Sequence, residues 1–428
     1  MMKSKYRRYT MTGEERLKHH GETAFPYQIF QAGDRVRCIT GLGHSNSIAI
    51  EGETSLILID CLDSDKRAAR LRSILEEQTH KQVKTIIYTH GHPDHRGGSG
   101  AFRDTVEEII MSSPRKPVLK YYDRLNDVLN KRTFRQFGYG LSDEECITQG
   151  IGIREGHAVG DGAYDFLPPT TLFTDSEEER VIDGVRLKLV SAVGETDNQL
   201  FVYLPDEEIL CCGDNYYACW PNLYAIRGSQ YRDVAAWIDS LSAIMSYRPK
   251  VLLPGHTAPI FGEDQIQTVL GNFRDAIQSI LFQTLDCMNQ GMDMLETVEH
   301  VKLPEKYRNL PYLQEFYGTI SWTVKGIYAG YVGWFDGNPV HLDPVPEAEY
   351  SQEILGLIGD SSAVLSRIRE LYRAGKYQMG LELCELLEKG GHDVKELKKE
   401  GLTSIAKTVT SANARHYYLA SAKELDER

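Results

Sequence analysis

Short runs rich in apolar residues, separated by glycine-containing turns, make up the first part of the chain. Such runs between turns are typical of β-strands. The pattern predicts strands at 36–39, 47–50 and 56–59. We therefore expect an antiparallel meander at the start of the folded chain.

A helix and a further strand follow the meander. Apolar residues recur at helical spacing within 64–77, and the β-branched run 83–88 ends directly before Thr89 and His90. Strand, helix and strand in this order form an α/β unit. Ligand sites in α/β sheets collect at the carboxyl ends of the strands, so chemically active residues are expected just after position 88.

A second β-rich part is predicted after a segment in which glycine is dense and regular patterning fades, 137–170. Such a segment indicates a long loop over a site. Strand patterns then return at 171–173, 181–182, 185–190, 200–204, 209–212 and 251–253, and from Gln265 onward the pattern is almost wholly helical. We expect an N-terminal extension over 1–26, an α/β domain over 27–265 and a helical domain over 266–428.

Length and charge narrow the possible partners. The chain has 428 residues, more than one hydrophobic core usually organises. Its 61 acidic and 48 basic residues give a formal charge of −13, which disfavours nucleic acid and anionic membranes as partners. The sequence has no run of about 18 apolar residues, and no apolar segment follows the basic start 1–10. A cytoplasmic protein without a membrane span is therefore expected.

The eight cysteines are scattered, and several fall in apolar runs. This placement is typical of reduced thiols in a core, so a disulfide framework is not expected. Cys211 and Cys212 are adjacent in a predicted strand, and their side chains should point to opposite faces of its sheet. A metal site shared by these two thiols is therefore not expected.

The densest chemical signal is the turn 89–95, which reads Thr-His-Gly-His-Pro-Asp-His. His90 and His92 are two residues apart and project to the same side of an extended chain, where they can share one cation. Asp94 and His95 follow around the turn toward a second cation. Imidazole and carboxylate together suit zinc better than calcium or magnesium, and a mixed set can leave a position open for water. The turn therefore predicts a catalytic site with two metal ions.

The pattern His-x-His-x-Asp-His after a strand resembles the signature of the metallo-β-lactamase superfamily. The resemblance implies an αββα sandwich with further metal ligands at later strand ends. Asp214 follows the strand-like run 209–212 and matches the family's bridging aspartate. His256 follows the run 251–253 and matches its last histidine.

The remaining ligand of the superfamily is usually a histidine, and the corresponding turn of this chain, 192–198, has none. A glutamate at this place is typical of the alkylsulfatase branch, and Glu195 falls in register with it. Asp197 is a rival ligand in the same turn. The implied ligand sets are His90, His92 and Glu195 for one ion, Asp94, His95 and His256 for the other, and Asp214 between them.

Further segments also resemble alkylsulfatases. The stretch 222–228 matches the one expected to hold sulfate in that family, through Asn222 and Arg227. A guanidinium suits this role because it presents a planar fork of donors and stays charged at any working pH. The alternative for Arg227 is an ordinary salt bridge. The run 317–321 matches a motif of the family's helical region.

The most specific match is 331–339, in which Gly-Trp-Phe-Asp-Gly-Asn-Pro is intact, and we expect Trp334 and Phe335 to pack between helices. Other positions depart from the alkylsulfatase pattern. After Ser321 the family commonly has histidine and asparagine, whereas this chain has Trp322 and Thr323. The carboxy-terminal sterol-carrier-like domain of long alkylsulfatases is not expected here.

Residues and resemblance together predict a binuclear zinc hydrolase that cleaves alkyl sulfate esters to alcohol and inorganic sulfate, with Asp94 and Asp214 at the catalytic centre. The donor set does not distinguish zinc from iron or manganese. The expected fold is a metallo-β-lactamase α/β sandwich followed by an all-helical dimerisation domain that makes the protein a homodimer. The alternatives are hydrolysis of another ester, such as a phosphodiester, thioester or lactone, and a non-catalytic metal-containing oligomeric binding protein.

Overall fold

The computed structural model of the protein describes residues 11–114 and 119–427. The basic start of the chain, 1–10, lies outside the described residues. The described residues form two compact units. Of the described residues, the sandwich unit comprises 19–114, 119–126 and 148–331, and the helical unit comprises 11–18, 127–147 and 332–427.

The sandwich unit contains two sheets. The strands of the first sheet lie side by side in chain order: β1 (Gln28–Gln31), β2 (Val36–Thr40), β3 (Ser47–Glu51), β4 (Leu56–Ile59), β5 (Val83–Tyr88), β6 (Glu108–Ser112) and β7 (Thr171–Phe173). The second sheet runs from β8 at one edge to β13 at the other: β8 (Glu177–Ile182), β9 (Val185–Ser191), β10 (Leu200–Leu204), β11 (Ile209–Gly213), β12 (Val251–Pro254) and β13 (Ile260–Phe261). Strands β4 to β7 are parallel, as are β11 and β12, and the other neighbours are antiparallel.

The helices of the described chain are α1 (Gly13–Ala24), α2 (Asp65–Thr79), α3 (Pro93–Arg96), α4 (Asn126–Phe137), α5 (Asp143–Cys146), α6 (Val234–Ser246), α7 (Glu263–Asn289), α8 (Met294–His300), α9 (Glu305–Arg308), α10 (Ile320–Val332), α11 (Glu347–Ile358), α12 (Ser361–Arg373), α13 (Tyr377–Lys389), α14 (Lys395–Ala406) and α15 (Ala412–Glu424). None of those in the described ranges is long and apolar enough to cross a membrane.

Side chains of both sheets meet in one buried core. Ile57 of β4 and Val202 of β10 lie in this core, whereas the alternate residues of the same strands point outward. The outward Leu58 packs with α2, and the outward Phe201 packs with α6 and α7. Because the central strands of both sheets are buried on both faces, the layers are helix, sheet, sheet and helix. The predicted αββα fold class is confirmed.

Most predicted strands are present, and the differences lie at the sheet edges and at the inner strand β6. The polar edge strand β1 and the two-residue β13 were not predicted, and neither was β6. The segment assigned to the second β-rich part at 171–173 forms β7, which pairs in parallel with β6 and closes the first sheet.

All eight cysteines are free and buried, as predicted. Cys211 lies in the core between the sheets, and Cys212 lies in the core beneath α6 and α7. The two neighbouring thiols therefore point to opposite faces, which confirms the expectation from strand geometry.

The long helix α7 belongs to the sandwich unit. Phe273, Ile277 and Ile280 on its inner face are fully buried against the second sheet and its neighbouring helices. The predicted boundary at 265/266 therefore falls at the start of α7, within the sandwich unit. The division of the chain into domains stays a prediction.

The helical unit contains two successive amphipathic helices, α12 and α13, which share a core through Ile368 and Leu387. The expectation that Trp334 and Phe335 pack between helices is wrong for the single chain. Trp334 is 74% exposed and contacts the Phe335 ring at a centroid distance of 5.6 Å. The pair lies in a loop after α10, between two glycines with positive φ, outside any buried cluster.

Candidate metal centre

The predicted ligands lie where strands of both sheets end. The turn that carries His90 and His95 follows β5, and Asp214 follows β11. Strands β11 and β12 are parallel, and their register places Gly213 opposite Pro254, so His256 emerges beside Asp214. Gly255 permits this approach, because a Cβ at that position would lie 2.3 Å from Asp214 Oδ1.

Three of the ligands converge near the turn that carries Glu195. His92 Nδ1 lies 3.0 Å from His90 Nε2 and 3.4 Å from Glu195 Oε2. Asp214 Oδ2 lies 3.7 Å from His90 Nε2. The four side chains are thus within reach of common cations.

The other ligands converge on Asp94. Its Oδ2 lies 3.3 Å from both His95 Nε2 and His256 Nε2. Asp214 lies between the two sets, 3.4 Å from each of these two nitrogens. All seven predicted ligands are therefore brought together.

The ligand atoms form three groups in which every atom lies within 4.8 Å of the others: His92, Glu195 and Asp214; His90, His95 and Asp214; and His44, Asp94 and His256. Asp214 belongs to two of these groups. The rival Asp197 belongs to none of them, although it lines the same cavity as Glu195.

Hydrogen bonds behind the rings fix which nitrogen faces the centre. His95 Nδ1 donates to Asp60 Oδ2 at 2.7 Å, and His256 Nδ1 donates to the His44 carbonyl at 3.0 Å. His90 Nδ1 lies 3.1 Å from the Thr89 hydroxyl, which in turn donates to Asp60. With each Nδ1 engaged as a donor, the Nε2 lone pair of each ring points inward, as a metal ligand requires.

The centre has the chemistry of a cation site. Among the described residues, His95 Nε2, His256 Nε2 and Asp214 Oδ1 are buried without a hydrogen-bond partner. Buried polar atoms normally have partners, and a divalent cation would satisfy all three. Burial lowers the pKa of His90 to about 3, so its ring is neutral and can coordinate at physiological pH. The residues therefore fit a divalent metal.

Asp214 is ionised in this setting. Burial alone would raise its pKa, but the facing imidazoles of His95 and His256 hold the pKa of Asp214 well below its usual range. A carboxylate that stays charged in a buried site needs positive charge nearby.

The two predicted sulfate-binding residues, Arg227 and Asn222, are placed differently in the structure. Arg227 lines a cavity of about 160 Å³ together with His92 and Glu195, and its Nη2 lies 3.2 Å from His92 Nε2. Asn222 is buried, and its Oδ1 has no hydrogen-bond partner among the described residues. The backbone of Asn222 packs closely on Gly318, where a Cβ would lie 3.0 Å from its Cα. The 317–321 motif therefore supports the asparagine.

Four residues of the site were not predicted. His44 Nε2 lies 3.9 Å from Asp94 Oδ2, and Asp60 orients His95.

The other two residues contact Glu195. Tyr217 donates from its hydroxyl to Glu195 Oε1 at 2.7 Å, and Arg232 Nη1 lies 3.1 Å from Glu195 Oε2. Burial and the neighbouring Glu195 raise the pKa of Tyr217 well above its usual range, so its hydroxyl keeps the proton that it donates.

Comparisons with known proteins agree with this geometry. Residues 40–256 match the family described as "Metallo-beta-lactamase superfamily", and residues 293–428 match the one described as "Alkyl sulfatase dimerisation". A linear primary-alkylsulfatase of Pseudomonas sp. (strain ATCC 19151) is 32% identical over 393 residues, which are 88% of this chain and 73% of the relative. An alkyl/aryl-sulfatase of Saccharomyces cerevisiae is 30% identical over 415 residues, 93% of this chain and 64% of the relative.

The fold is also that of a solved alkylsulfatase. The stereoselective inverting sec-alkylsulfatase Pisa1 from Pseudomonas sp. superposes with a TM-score of 0.84 at 24% identity, covering 96% of this chain and 67% of that one. The metallo-beta-lactamase fold implies a bound divalent metal. The imidazole and carboxylate groups described above are suited to hold it. The chain therefore belongs to the metallo-beta-lactamase superfamily and, within it, to the alkylsulfatase family of hydrolases.

Proposed function

We propose that the protein hydrolyses alkyl sulfate esters to alcohol and inorganic sulfate at a centre of two divalent metal ions, with zinc as the native metal. The observation that carries the proposal is the place of Arg227. Its guanidinium lies 3.2 Å from His92 in the cavity that Glu195 also lines. A cationic fork of donors thus stands at the edge of a cation site, where the anionic group of an ester can contact both.

The ligand roles are proposed from the pattern of metal ligands that the superfamily has. The proposed sets are His90, His92 and Glu195 for one ion, Asp94, His95 and His256 for the other, and Asp214 as the bridge. Membership of Asp214 in two of the observed groups supports its bridging role. Two divalent ions held by these residues would lower the pKa of a shared water toward about 7 and so would supply hydroxide at neutral pH.

Residues of this chain would hold the ester for attack. Arg227 donates to the sulfate oxygens, and the buried amide of Asn222 orients the same group. Each well-placed donor contributes on the order of 3 kcal/mol to stabilising charge that develops on such oxygens. Asp94 and Asp214 keep the centre anionic, because the facing histidines lower the pKa values of both carboxylates.

The departure at Trp322 and Thr323 bears on the substrate. Thr323 is buried, and its hydroxyl accepts from the Trp220 indole at 3.0 Å and donates to the Thr319 carbonyl at 2.9 Å. Its side chain is therefore held in the packing around Trp220 rather than free to contact a substrate. The choice between alkyl sulfates and the alternative substrates, which are phosphodiesters, thioesters and lactones, therefore needs a direct test.

The test is a substrate panel on purified protein loaded with zinc. We expect sulfate release from dodecyl or hexyl sulfate, and turnover at least about 100-fold lower on a phosphodiester, a thioester and a lactone. Hydrolysis of one of those esters with no sulfate release from any alkyl sulfate would overturn the substrate assignment while keeping the hydrolase.

A homodimer formed through the helical unit is also proposed. The support is the match of residues 293–428 to the alkyl sulfatase dimerisation family, together with exposed apolar side chains such as Trp334, Val340 and Leu357, at 74%, 74% and 83% exposure. Light scattering during size exclusion should give twice the chain mass of 48.5 kDa. Trp334→Ala combined with Leu357→Ser should shift the mass toward the monomer, and an unchanged dimer would place the interface elsewhere.

A further inference from the structure

Two side chains connect Glu195 with the backbone of Asn222. The Tyr217 hydroxyl donates to Glu195 Oε1 at 2.7 Å and accepts from the Asn222 N–H at 2.8 Å. Arg232 Nη1 lies 3.1 Å from Glu195 Oε2 and also donates to the Asn222 carbonyl. Tyr217 and Arg232 therefore hold both carboxylate oxygens of Glu195. They also hold both the N–H and the carbonyl of Asn222.

The network is closed to solvent. The side chains of Arg232 and Glu195 are each 3% exposed, and Tyr217 and Asn222 are also buried. A buried guanidinium is stable only when an anion faces it, and removing one member of such a pair leaves the other charge uncompensated. The negative charge of Glu195 is thus matched to Arg232 as well as to the metal centre.

This pairing gives a reason for the residue type at position 195. A histidine is usual at the corresponding place in the superfamily, but a neutral imidazole here would leave Arg232 without its counter-charge. A glutamate satisfies the guanidinium with one oxygen and Tyr217 with the other, which fixes the direction in which the carboxylate faces His92 and Asp214. Partners that orient a metal ligand in this way commonly change metal affinity by 10–100-fold.

We propose that Arg232 and Tyr217 are positioning residues that specify glutamate at position 195 and couple this metal ligand to Asn222. The inference rests on the proposed function for the roles of Glu195 and Asn222. The two residues couple the position of Asn222 to the metal centre. A shift of the Glu195 carboxylate moves Tyr217 and Arg232, and these two side chains hold the backbone of Asn222.

A double-mutant cycle tests the specification of glutamate. Glu195→His, Arg232→Met and the double variant are purified as full chains, and zinc affinity is measured by competition with a chelator alongside thermal unfolding of the metal-free proteins. We expect each single variant to bind zinc 10–100-fold more weakly. The double variant should bind zinc more tightly, and unfold at a higher temperature, than Glu195→His alone. Strictly additive losses would overturn the proposal.

Two further variants keep the test decisive if Arg232→Met does not fold. Arg232→Lys retains the cation but replaces a planar fork with a point charge, so it should fold and still lose about 10-fold in zinc affinity. Arg248→Met is the matched control, since Arg248 pairs with Glu263 on the surface. It should bind zinc as the unaltered protein does, and unchanged affinity in Arg232→Lys would contradict the positioning role.

Tyr217→Phe tests the coupling to Asn222. Loss of the hydroxyl removes one bond to Glu195 and one to Asn222, so zinc affinity should fall and the KM for dodecyl sulfate should rise, each by about 10-fold, while kcat at saturating zinc changes less. A change in zinc affinity with an unchanged KM would refute the coupling. Zinc binding needs no substrate, so the zinc measurements test the positioning role even if the protein has no sulfatase activity. Absence of sulfatase activity would refute the proposed function alone.

Discussion

Asp60 and His95 form a buried hydrogen bond of 2.7 Å between Oδ2 of the carboxylate and Nδ1 of the ring. The same carboxylate accepts from the Thr89 N–H at 2.8 Å, at the end of the strand that precedes the histidine turn. Asp60 therefore fixes both the backbone that carries His90 and the ring nitrogen of His95 that faces the centre.

Replacing Asp60 by asparagine should weaken metal binding without removing any ligand. The amide keeps the shape of the carboxylate but loses the charge that polarises His95, so we expect zinc affinity to fall 10–100-fold. Chelator competition measures this. Asp104→Asn, at an exposed carboxylate paired with Arg72, is the control and should leave affinity unchanged. Equal affinities in the two variants would contradict the role of Asp60.

Gly255→Ala should disrupt the centre by steric displacement. The added Cβ would lie 2.3 Å from Asp214 Oδ1 and 2.9 Å from His95 Cε1, distances that require both side chains to move. We expect at least a 10-fold loss of zinc affinity. Gly356→Ala in α11, where a Cβ meets nothing within 4 Å, should bind zinc normally and gain about 0.5–1 kcal/mol in free energy of unfolding. Normal zinc binding by Gly255→Ala would refute the placement of Asp214.

Arg227→Ala should affect anionic esters selectively. Loss of the guanidinium removes donors to the sulfate oxygens, so kcat/KM for dodecyl sulfate should fall about 100-fold, which corresponds to roughly 3 kcal/mol. Arg227→Lys should recover only part of the loss, because a point charge cannot replace the planar fork. Zinc content and turnover of an uncharged ester should stay unchanged. An equal loss on charged and uncharged esters would show that Arg227 acts on the centre itself.

His20 should make folding stability depend on pH. Burial lowers its pKa to about 4 although the Gly150 carbonyl, 2.8 Å from Nε2, acts in the opposite direction. Since the folded pKa lies below the unfolded value of 6.5, stability is fully present above about pH 6.5 and is lost as pH falls toward 4. At about 1.4 kcal/mol per pKa unit, the loss is on the order of 3 kcal/mol.

Urea unfolding at pH 7.5 and 5.0 measures the effect of His20. His20→Phe keeps a ring against Phe316, on which His20 stacks at a centroid distance of 3.9 Å, but cannot take up a proton. The variant should lose less stability than the unaltered protein between the two pH values, even though other buried histidines titrate in both. Equal losses would show that His20 does not contribute.

The sequence predicted the parts of the site that are local or lie at strand ends. The turn with His90, His92 and His95 could be predicted because its candidate ligands are close together in the sequence. Asp214 and His256 could be predicted because each follows an apolar run. Asp60 carried a usable signal as well, because it follows β4, which pairs in parallel with β5. The carboxyl ends of parallel neighbours meet at one sheet edge.

The other side chains of the site could not be found from sequence pattern. His44 meets His256 across 212 residues, and Arg232 reaches Glu195 only through the path of the loop before α6. A lone histidine or arginine in a loop has no periodicity that marks it. Trp334 was assigned to packing because it is large and aromatic, but its exposure depends on contacts that pattern does not reveal. The cytoplasmic location and the absence of nucleic-acid partners stay predictions.

The most direct test of the account is sulfate release from dodecyl sulfate, followed as zinc is returned stepwise to metal-free protein, with bound metal counted by elemental analysis. The account predicts that activity rises with zinc and reaches its maximum at two ions per chain. Folded protein that binds two zinc ions and releases no sulfate from any alkyl sulfate would contradict the substrate, and full activity at one ion per chain would contradict the binuclear centre.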